Sequence, residues 1–446
     1  MGLTGLDIFK QLPKTNCGKC GQPTCLAFAM KLAQKQVSLD QCPDVSEAAK
    51  AALAGAAAPP IKLVSIGAGE RKLEVGNETV LFRHEEQFYH PTGLAVLVDA
   101  SLPEAELTAR IVAINEVRFE RVGQMLCLDA VALKGEGEAF VKAARIAAEK
   151  SEAPLILINE DPAVMGRALA ACAAKRPLIY AATPENVEAM AALAKQHNCP
   201  LAARGNGGLA SLAALSEKAQ AAGAGDLVLD SGARTVGQVL VNETAIRRAA
   251  LRKRFRPFGF PTITFTQAAD PGEEVLEAAT YIAKYAGIVV LQGMEAWQLL
   301  ALVTARQNIY TDPQKPIQIQ EGRYQIGAPD ENSPVLVTTN FSLTYFTVEG
   351  DVEASKVPSW VVVVDTEGTS VLTAWAAEKF TAEVIAKKVR DFDVASKVKH
   401  RKLILPGHVA VLSGKLEDEL SQEWKVLVGP RESSGIPSFF RASWQA

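Results

Sequence analysis

Pro154-Leu155-Ile156-Leu157-Ile158, Pro177-Leu178-Ile179-Tyr180-Ala181 and Pro200-Leu201-Ala202-Ala203 are three short apolar runs, each followed by an alanine-rich amphipathic segment. Runs of this length, bounded by proline and separated by a helical pattern, read as buried parallel strands joined by crossover helices. Leu94–Val98, Gln124–Leu128, Asp226–Leu229, Pro261–Phe265 and Gly287–Leu291 repeat the pattern to either side, giving eight candidate strands. That is the strand and helix count of a (β/α)8 TIM-type barrel, although an open doubly wound sheet shares the signature. Ahead of the first strand, Lys62–Ser65, Lys72–Val75 and Thr79–Phe82, with Gly76-Asn77 between the last two, carry a hairpin signal.

Behind the barrel pattern, residues 311–334 are rich in Pro, Gly, Asp and Gln and mark a break. The alternation then resumes on a smaller scale: strand Val335–Thr339, a helix from Ser342, strand Trp360–Asp365, helix Val371–Lys388, and strands Leu403–Leu405 and Lys425–Val428. This predicts a compact Rossmann-like parallel α/β domain whose ligand sits beyond the carboxyl ends of the strands. Those ends carry Thr339-Asn340, Thr366-Glu367-Gly368-Thr369-Ser370, Pro406-Gly407-His408, Gly429-Pro430 and Ser434-Gly435-Ile436-Pro437. Ordinary loop chemistry explains any one of these. Five on one edge point to a large flat or polyphosphorylated ligand approaching the backbone, with Thr369 and Ser370 able to cap the following helix.

The amino-terminal segment has a different chemistry. Cys17, Cys20, Cys25 and Cys42 form a C-x2-C-x4-C-x16-C-P pattern within a chain of seven cysteines. Thiolates on tight loops converge on soft metals, and the uneven spacing suits an iron–sulfur cluster of the 4Fe-4S type better than the paired C-x-x-C of a structural zinc. Zinc, or no metal, remains the competing reading. Disulfides are disfavoured, since no apolar signal segment directs the chain to an oxidising compartment. Apolar spacing from Leu26 to Ala33 puts Cys25 in the first turn of a short helix, where backbone N–H groups favour a negatively charged cluster. The run Ala51-Ala52-Leu53-Ala54-Gly55-Ala56-Ala57-Ala58-Pro59-Pro60 reads as a semi-rigid tether or as the end of a helix. The expected division is a cluster domain with its linker over 1–58, a barrel over 59–315 and a third domain over 316–446.

Composition sets bounds on function. Forty-seven basic and 50 acidic residues give a net charge of −3, which argues against nucleic acid or a membrane surface as partner. No apolar run approaches a membrane span, so a cytoplasmic protein is expected. Cys127, Cys172 and Cys199 lie in apolar stretches, as core thiols do. The barrel strands end in Asp99, Asp129, Asn159, Glu160, Asp161, Thr183, Arg204, Asn206, Asp230, Ser231 and Gln292. With no His or Lys among them to make an acid–base pair, a scaffold or docking role outweighs a small-molecule site. The basic run Arg247, Arg248, Arg252, Lys253, Arg254 and Arg256 is either a solvated helix face or a patch for an acidic partner.

Three segments together carry a family resemblance: Leu12-Pro13 through Asn16-Cys17-Gly18, Cys20-Gly21, Pro23-Thr24-Cys25-Leu26-Ala27-Phe28-Ala29 and Cys42-Pro43; Thr338-Thr339-Asn340-Phe341-Ser342-Leu343-Thr344-Tyr345-Phe346; and Asp365-Thr366-Glu367-Gly368-Thr369-Ser370-Val371-Leu372-Thr373. Over its whole length the chain resembles the large (gamma) subunit of the corrinoid iron–sulfur proteins of the anaerobic acetyl-CoA synthase/carbon monoxide dehydrogenase pathway of carbon fixation. The resemblance implies a 4Fe-4S cluster on Cys17, Cys20, Cys25 and Cys42. It also implies a corrinoid, a cobalt macrocycle of the cobalamin type, in contact with Asn340, Phe346, Ser370, Val371, Leu372, Thr373 and Ile436, with Thr369, Gly407 and Gly429 added from their loop positions.

It further implies a methyl carrier in a methyltransferase system. The corrinoid takes the methyl of methyltetrahydrofolate through a separate methyltransferase and passes it to acetyl-CoA synthase, while the cluster reductively restores oxidised cobalt. A small subunit completes a heterodimer, and an electron donor or reductive activator serves the cluster. The chain departs from cobalamin proteins whose D-x-H-x-x-G loop supplies a histidine to cobalt, because Asp365-Thr366-Glu367-Gly368 has none. His408 is the only histidine on that edge. Two other classes stay in view: a ferredoxin-like electron carrier fused to a scaffold, and a barrel-based folate methyltransferase.

Overall fold

The structure, a computed structural model, describes residues 5–33, 37, 39–46, 49, 59–69, 71–121 and 124–444. Its strands in chain order are β1 (Val64–Ile66), β2 (Leu73–Val75), β3 (Gly93–Asp99), β4 (Arg118–Arg121), β5 (Gln124–Cys127), β6 (Ala130–Lys134), β7 (Leu155–Ile158), β8 (Leu178–Ala182), β9 (Leu201–Arg204), β10 (Leu227–Asp230), β11 (Ile263–Phe265), β12 (Ile288–Leu291), β13 (Gly322–Ile326), β14 (Val335–Thr339), β15 (Ser359–Val364), β16 (Lys402–Leu405) and β17 (Lys425–Val428).

Eight of them form one parallel sheet in the order β10-β9-β8-β7-β6-β3-β12-β11, and a parallel bridge between Leu229 and Thr262 brings its two edges together. Each strand therefore neighbours the next in sequence, as a (β/α)8 barrel requires. Alternate side chains point inward, where Ala95, Ala130, Ala132, Ala202 and Val228 leave room for the larger Ile156, Leu178, Ile263 and Ile288. The antiparallel hairpin β1–β2 adds Val64, Ile66, Leu73 and Val75 to the same cluster and plugs the amino-terminal end of the barrel. Outward-facing residues such as Leu94, Val96, Val131, Leu133 and Leu157 pack against the helical ring.

Two strand assignments need correction, and with the first, one rim residue. Gln124–Leu128 is not a barrel strand: β5 pairs antiparallel with β4 as a separate two-stranded hairpin, and β6 takes the second place in the barrel. The burial pattern explains the choice, since Gln124–Cys127 is exposed or half-buried whereas Ala130–Leu133 is fully buried. Asp129 consequently sits at the amino end of β6, where its Oδ2 accepts the Leu94 N–H at 2.8 Å and pairs with Arg306. Thr79–Phe82 forms no strand.

The last unit is a five-stranded sheet in the order β13-β15-β14-β16-β17. All neighbours are parallel except β13, an antiparallel edge strand drawn from the segment read as a break. Interior strand β15, Ser-Trp-Val-Val-Val-Val, is buried along its whole length and suits a strand covered on both faces. The single helix expected over Val371–Lys388 is two, Val371–Ala376 and Ala382–Asp391, the second capped by the Thr381 hydroxyl on the Val384 N–H.

At the amino terminus, helices Gly5–Gln11 and Cys25–Ala33 bury Ile8, Leu12, Cys25, Phe28 and Ala29 against Cys42, Val45 and Ala49. The proposed tether at residues 51–58 lies outside the described residues.

Candidate functional site

The switch point of the smaller sheet lies at β14, because the chain passes from β14 to β15 on one side and then crosses back to β16 on the other. β14 and β16 share only the registered pair Leu336 and Ile404, so the sheet opens toward its carboxyl edge. A cavity of about 340 Å³ occupies the opening. Its walls are largely apolar: Leu336, Val337, Leu343, Val348, Ile404, Leu405 and Ile436. Thr338, Thr344, Ser370, Ser433, Glu432 and His408 add polar groups, and the His408 Nε2 stands 3.4 Å from the Glu432 carboxylate.

Thr338 lines this cavity, is 2% exposed, and its Oγ1 has no hydrogen-bond partner among the described residues. The neighbouring Thr339 hydroxyl is equally unpartnered. A buried orphan hydroxyl costs about 1–3 kcal/mol, so Thr338 marks a place where a ligand can complete the hydrogen bonding; Thr339, next on the strand, faces the other side of the sheet and does not line the cavity. The opening thus suits one face or edge of a mainly apolar group with polar atoms on its periphery, the rest of which would stand outside the sheet.

Of the residues expected to touch a corrinoid, Ser370, Val371, Leu372, Gly429 and Ile436 line the cavity. Phe346 is 45% exposed on helix Ser342–Ser355, and Thr373 shares a 3.1 Å hydroxyl contact with Ser370. Gly407 lies where a Cβ would come within 2.6 Å of the Gly429 carbonyl and 2.8 Å of the Arg431 nitrogen, so it serves the close approach of two loops. Thr369 closes a turn with Thr366, each hydroxyl donating to the other's carbonyl at 2.7 and 3.0 Å.

Asn340 is buried beneath the loop instead of at its surface. Its Oδ1 accepts from the Thr366 N–H, the Thr366 hydroxyl and the Gly368 N–H, and its Nδ2 donates to Asp365 at 2.8 Å and Gln318 at 3.1 Å. All its polar capacity is spent on shaping the loop. His408, the one histidine the sequence placed on this edge, does line the cavity, whereas Thr338, Thr344 and Glu432 are lining residues that the sequence reading does not single out. Period-two alternation along β14 could have indicated Thr338, whereas Glu432 follows its strand by several residues and carries no local signal.

At the cysteine segment, Gly18 and Gly21 adopt positive φ, which lets the backbone turn between Cys17, Cys20 and Cys25. Asn16 holds the third thiol from two sides: its Oδ1 accepts the Cys25 N–H at 2.8 Å, and its own N–H points at the Cys25 sulfur at 3.4 Å. Lys19 pairs with Asp44, tying the first loop to the Cys42-Pro43 loop. Burial pushes the Cys42 thiol up, and Cys20, Cys25 and Cys17 add to that, so the four sulfurs feel one another. Among the described residues no three His, Cys, Asp or Glu side chains converge on a point that would hold a single ion. Cys20, Cys25 and Cys42 pack in one small core, on loops clasped together by Lys19 and Asp44.

The barrel mouth is a third polar region. The corrected register brings Lys134 to the end of β6 beside Asp99, so the rim does include a lysine. A cavity of about 710 Å³ there is bordered by Asp99, Lys134, Glu136, Asn159, Glu160 and Asp161. Part of its lining is engaged: Asp99 accepts the Ser101 N–H, Asn159 donates to the Gly135 carbonyl, Asp161 caps helix Pro162–Cys172 and Glu160 pairs with Arg204, whereas Lys134 and Glu136 make no ion pair among the described residues. Of the basic run, Arg247 is buried against Glu78 between the rings of Phe88 and Tyr285, while Arg248, Arg252, Lys253, Arg254 and Arg256 are exposed, Arg252 pairing with Glu85.

These features define a class: an α/β protein joining a thiolate-rich segment to a closed barrel and to a Rossmann-like sheet with a cavity at its switch point. A family profile for the CO dehydrogenase/acetyl-CoA synthase delta subunit matches residues 63–440, and a profile for an Fe-S cluster matches residues 12–43. The corrinoid/iron-sulfur protein large subunit of Moorella thermoacetica is 53% identical over 446 residues, covering 99% of each chain. The acetyl-CoA decarbonylase/synthase complex subunit gamma of Methanothermobacter thermautotrophicus is 39% identical over 454 residues, covering 98% of each. Its counterpart from Methanopyrus kandleri is also 39% identical, over 98% of this chain and 97% of that one.

The delta profile begins after the cysteine segment, whereas these relatives span the whole chain. The chain belongs to the family of corrinoid/iron-sulfur protein large subunits and acetyl-CoA decarbonylase/synthase gamma subunits.

Proposed function

We propose that this chain is the methyl-carrying subunit of anaerobic acetyl-CoA synthesis, with a corrinoid in the cavity at the β14 switch point and a 4Fe-4S cluster on Cys17, Cys20, Cys25 and Cys42. The unpartnered Thr338 hydroxyl in a mainly apolar cavity is the observation that carries the reading. When bound, the corrinoid supplies a cobalt centre able to accept and release a methyl group, and the cluster supplies single electrons at low potential.

The chain's own residues bind and shield. Leu343, Val371, Leu372 and Ile436 exclude water from the macrocycle, while Thr338, Ser370 and Ser433 meet its polar periphery. Asn340 holds the Asp365–Gly368 loop, which carries no histidine to offer the metal. A protein of this kind works by presenting its cofactor to others. The partners inferred are a small subunit that completes a heterodimer, a methyltetrahydrofolate methyltransferase, acetyl-CoA synthase and a reductive activator.

Cobalt and iron are to be measured per chain after anaerobic purification with the small subunit, together with the visible spectrum. One cobalt and about four irons are expected. Iron without cobalt would make the chain a ferredoxin-like carrier on a scaffold. Methyltetrahydrofolate demethylation by the chain with free cobalamin alone would move the chemistry to the barrel mouth.

A further inference from the structure

The segment that leaves the barrel does not simply connect two bodies. Helix Ala296–Tyr310 ends the barrel, and residues 312–320 run from it to β13. Along this stretch the chain is stitched to the loop that follows β14: Gln318 bridges to Phe341, the Ile319 N–H donates to the Asn340 carbonyl at 2.8 Å, and the Ser342 N–H donates to the Ile317 carbonyl at 3.1 Å. The Gln318 side chain accepts from Asn340 Nδ2 at 3.1 Å. Gly368, at φ +72°, packs so tightly on the same stretch that a Cβ there would lie 2.7 Å from Gln318 Cγ and 3.1 Å from the Pro316 carbonyl.

Asn340 therefore joins two structures. Its amide orientation is unambiguous, because the Thr366 and Gly368 N–H groups can only donate and the Asp365 carboxylate can only accept. From Gly368 the chain passes through the Thr366–Thr369 turn directly to Ser370, Val371 and Leu372, which form a wall of the cavity. Residues 312–320, the exit tether as distinct from residues 51–58, connect by hydrogen bonds through the Asn340 amide to the Thr366–Thr369 turn, and from there along the chain to the cavity wall.

We propose that this path couples occupation of the cavity to the exit tether, with Gln318 as the positioning residue that links them. A ligand that fixes Ser370–Leu372 also fixes the Thr366–Gly368 loop, and through Asn340 and Gln318 it stiffens residues 316–319. The loaded and empty chains then differ in how freely the smaller α/β unit moves on the barrel. The coupling is reciprocal: an exit tether held by a partner raises affinity at the cavity by the factor by which the ligand steadies the exit tether. The ligand half of this inference rests on the cavity being the corrinoid site; the link from Gln318 to the loop does not.

Amide hydrogen exchange on the full chain tests both halves. In the empty chain, Gln318→Leu keeps the packing on Gly368 but removes the acceptor. Exchange at the Thr366 and Gly368 amides is expected to rise about two- to tenfold, the effect of losing one buried hydrogen bond. In the wild type, saturation with hydroxocobalamin is expected to slow exchange at the Ile319 amide, which does not line the cavity; in Gln318→Leu this slowing is lost while the cobalamin spectrum still reports binding. Unchanged loop exchange in the empty variant overturns the coupling. Cobalamin binding without any change at Ile319 also overturns it and leaves the cofactor reading standing. No cobalamin uptake at all, with the loop effect present, overturns the cofactor reading and the ligand half of the coupling with it.

Discussion

Thr338 has a side chain that the fold gains nothing from: a hydroxyl at 2% exposure, unpartnered, on a strand whose other residues are valine, leucine and threonine. Thr338→Val keeps the shape and removes the polar atom. The empty variant should melt no lower than wild type, since about 1–3 kcal/mol of desolvation is relieved, while corrinoid affinity falls roughly tenfold. A lower melting temperature with normal binding would assign the hydroxyl to the fold. Glu243, on helix Val236–Lys253, illustrates a different use of a buried polar group. Burial pushes its carboxyl up to about 8, with the Thr262 hydroxyl donating to it at 2.5 Å. The folded chain then holds a proton that the unfolded chain releases above an ordinary carboxyl value of about 4.3. Its contribution is most favourable below that value, falls as pH rises toward 8, and levels off beyond. Thermal melts of wild type and Glu243→Gln across that window should diverge in the variant's favour by roughly 2–4 kcal/mol at the alkaline end; parallel curves would mean the carboxyl ionises freely.

At the scale of elements, the cavity depends on loops that approach one another closely. Gly407→Ala would drive a methyl into the backbone of residues 429–431, and the resulting separation of the two loops should cost about 1–3 kcal/mol and weaken corrinoid binding. Gly414→Ala, in helix Ser413–Glu419 where a methyl meets nothing within 4 Å, is the matched control and should be neutral or stabilising. Elements whose signal is local were legible in the sequence: β14 and β17 fall where their apolar runs fall, and Cys25 opens its helix as the spacing indicated. Two apolar stretches in succession, Gln124–Cys127 and Ala130–Lys134, could not be ranked by pattern alone. The decision came from β4, a long-range partner for the first, and from burial available only to the second. The same limit applies to the site. Ser370–Leu372 announce themselves by their place after a strand, while the exit tether's grip on Asn340 joins residues 22 apart whose proximity no periodicity encodes.

At the scale of the molecule, one chain carries two proposed redox centres on separate units, and the question is whether the first serves the second or merely accompanies it. The cysteine segment has its own small core, Ile8, Leu12, Phe28, Ala29 and Val45, and its own clasp between Lys19 and Asp44. The cavity belongs to the five-stranded sheet, whose core is distinct. Damage to one centre should therefore leave the other folded. Cys20→Ala removes one of four proposed ligands, and iron content is expected to collapse while corrinoid content, measured by cobalt analysis and visible absorption, stays at the wild-type level. If the cluster acts as the source of repair electrons, the variant should transfer methyl groups normally when chemically pre-reduced, yet fail to recover after oxidation when supplied only with a protein electron donor. Loss of corrinoid together with iron would show that the two units are not independent, and undiminished recovery after oxidation would leave the cluster without the task assigned to it.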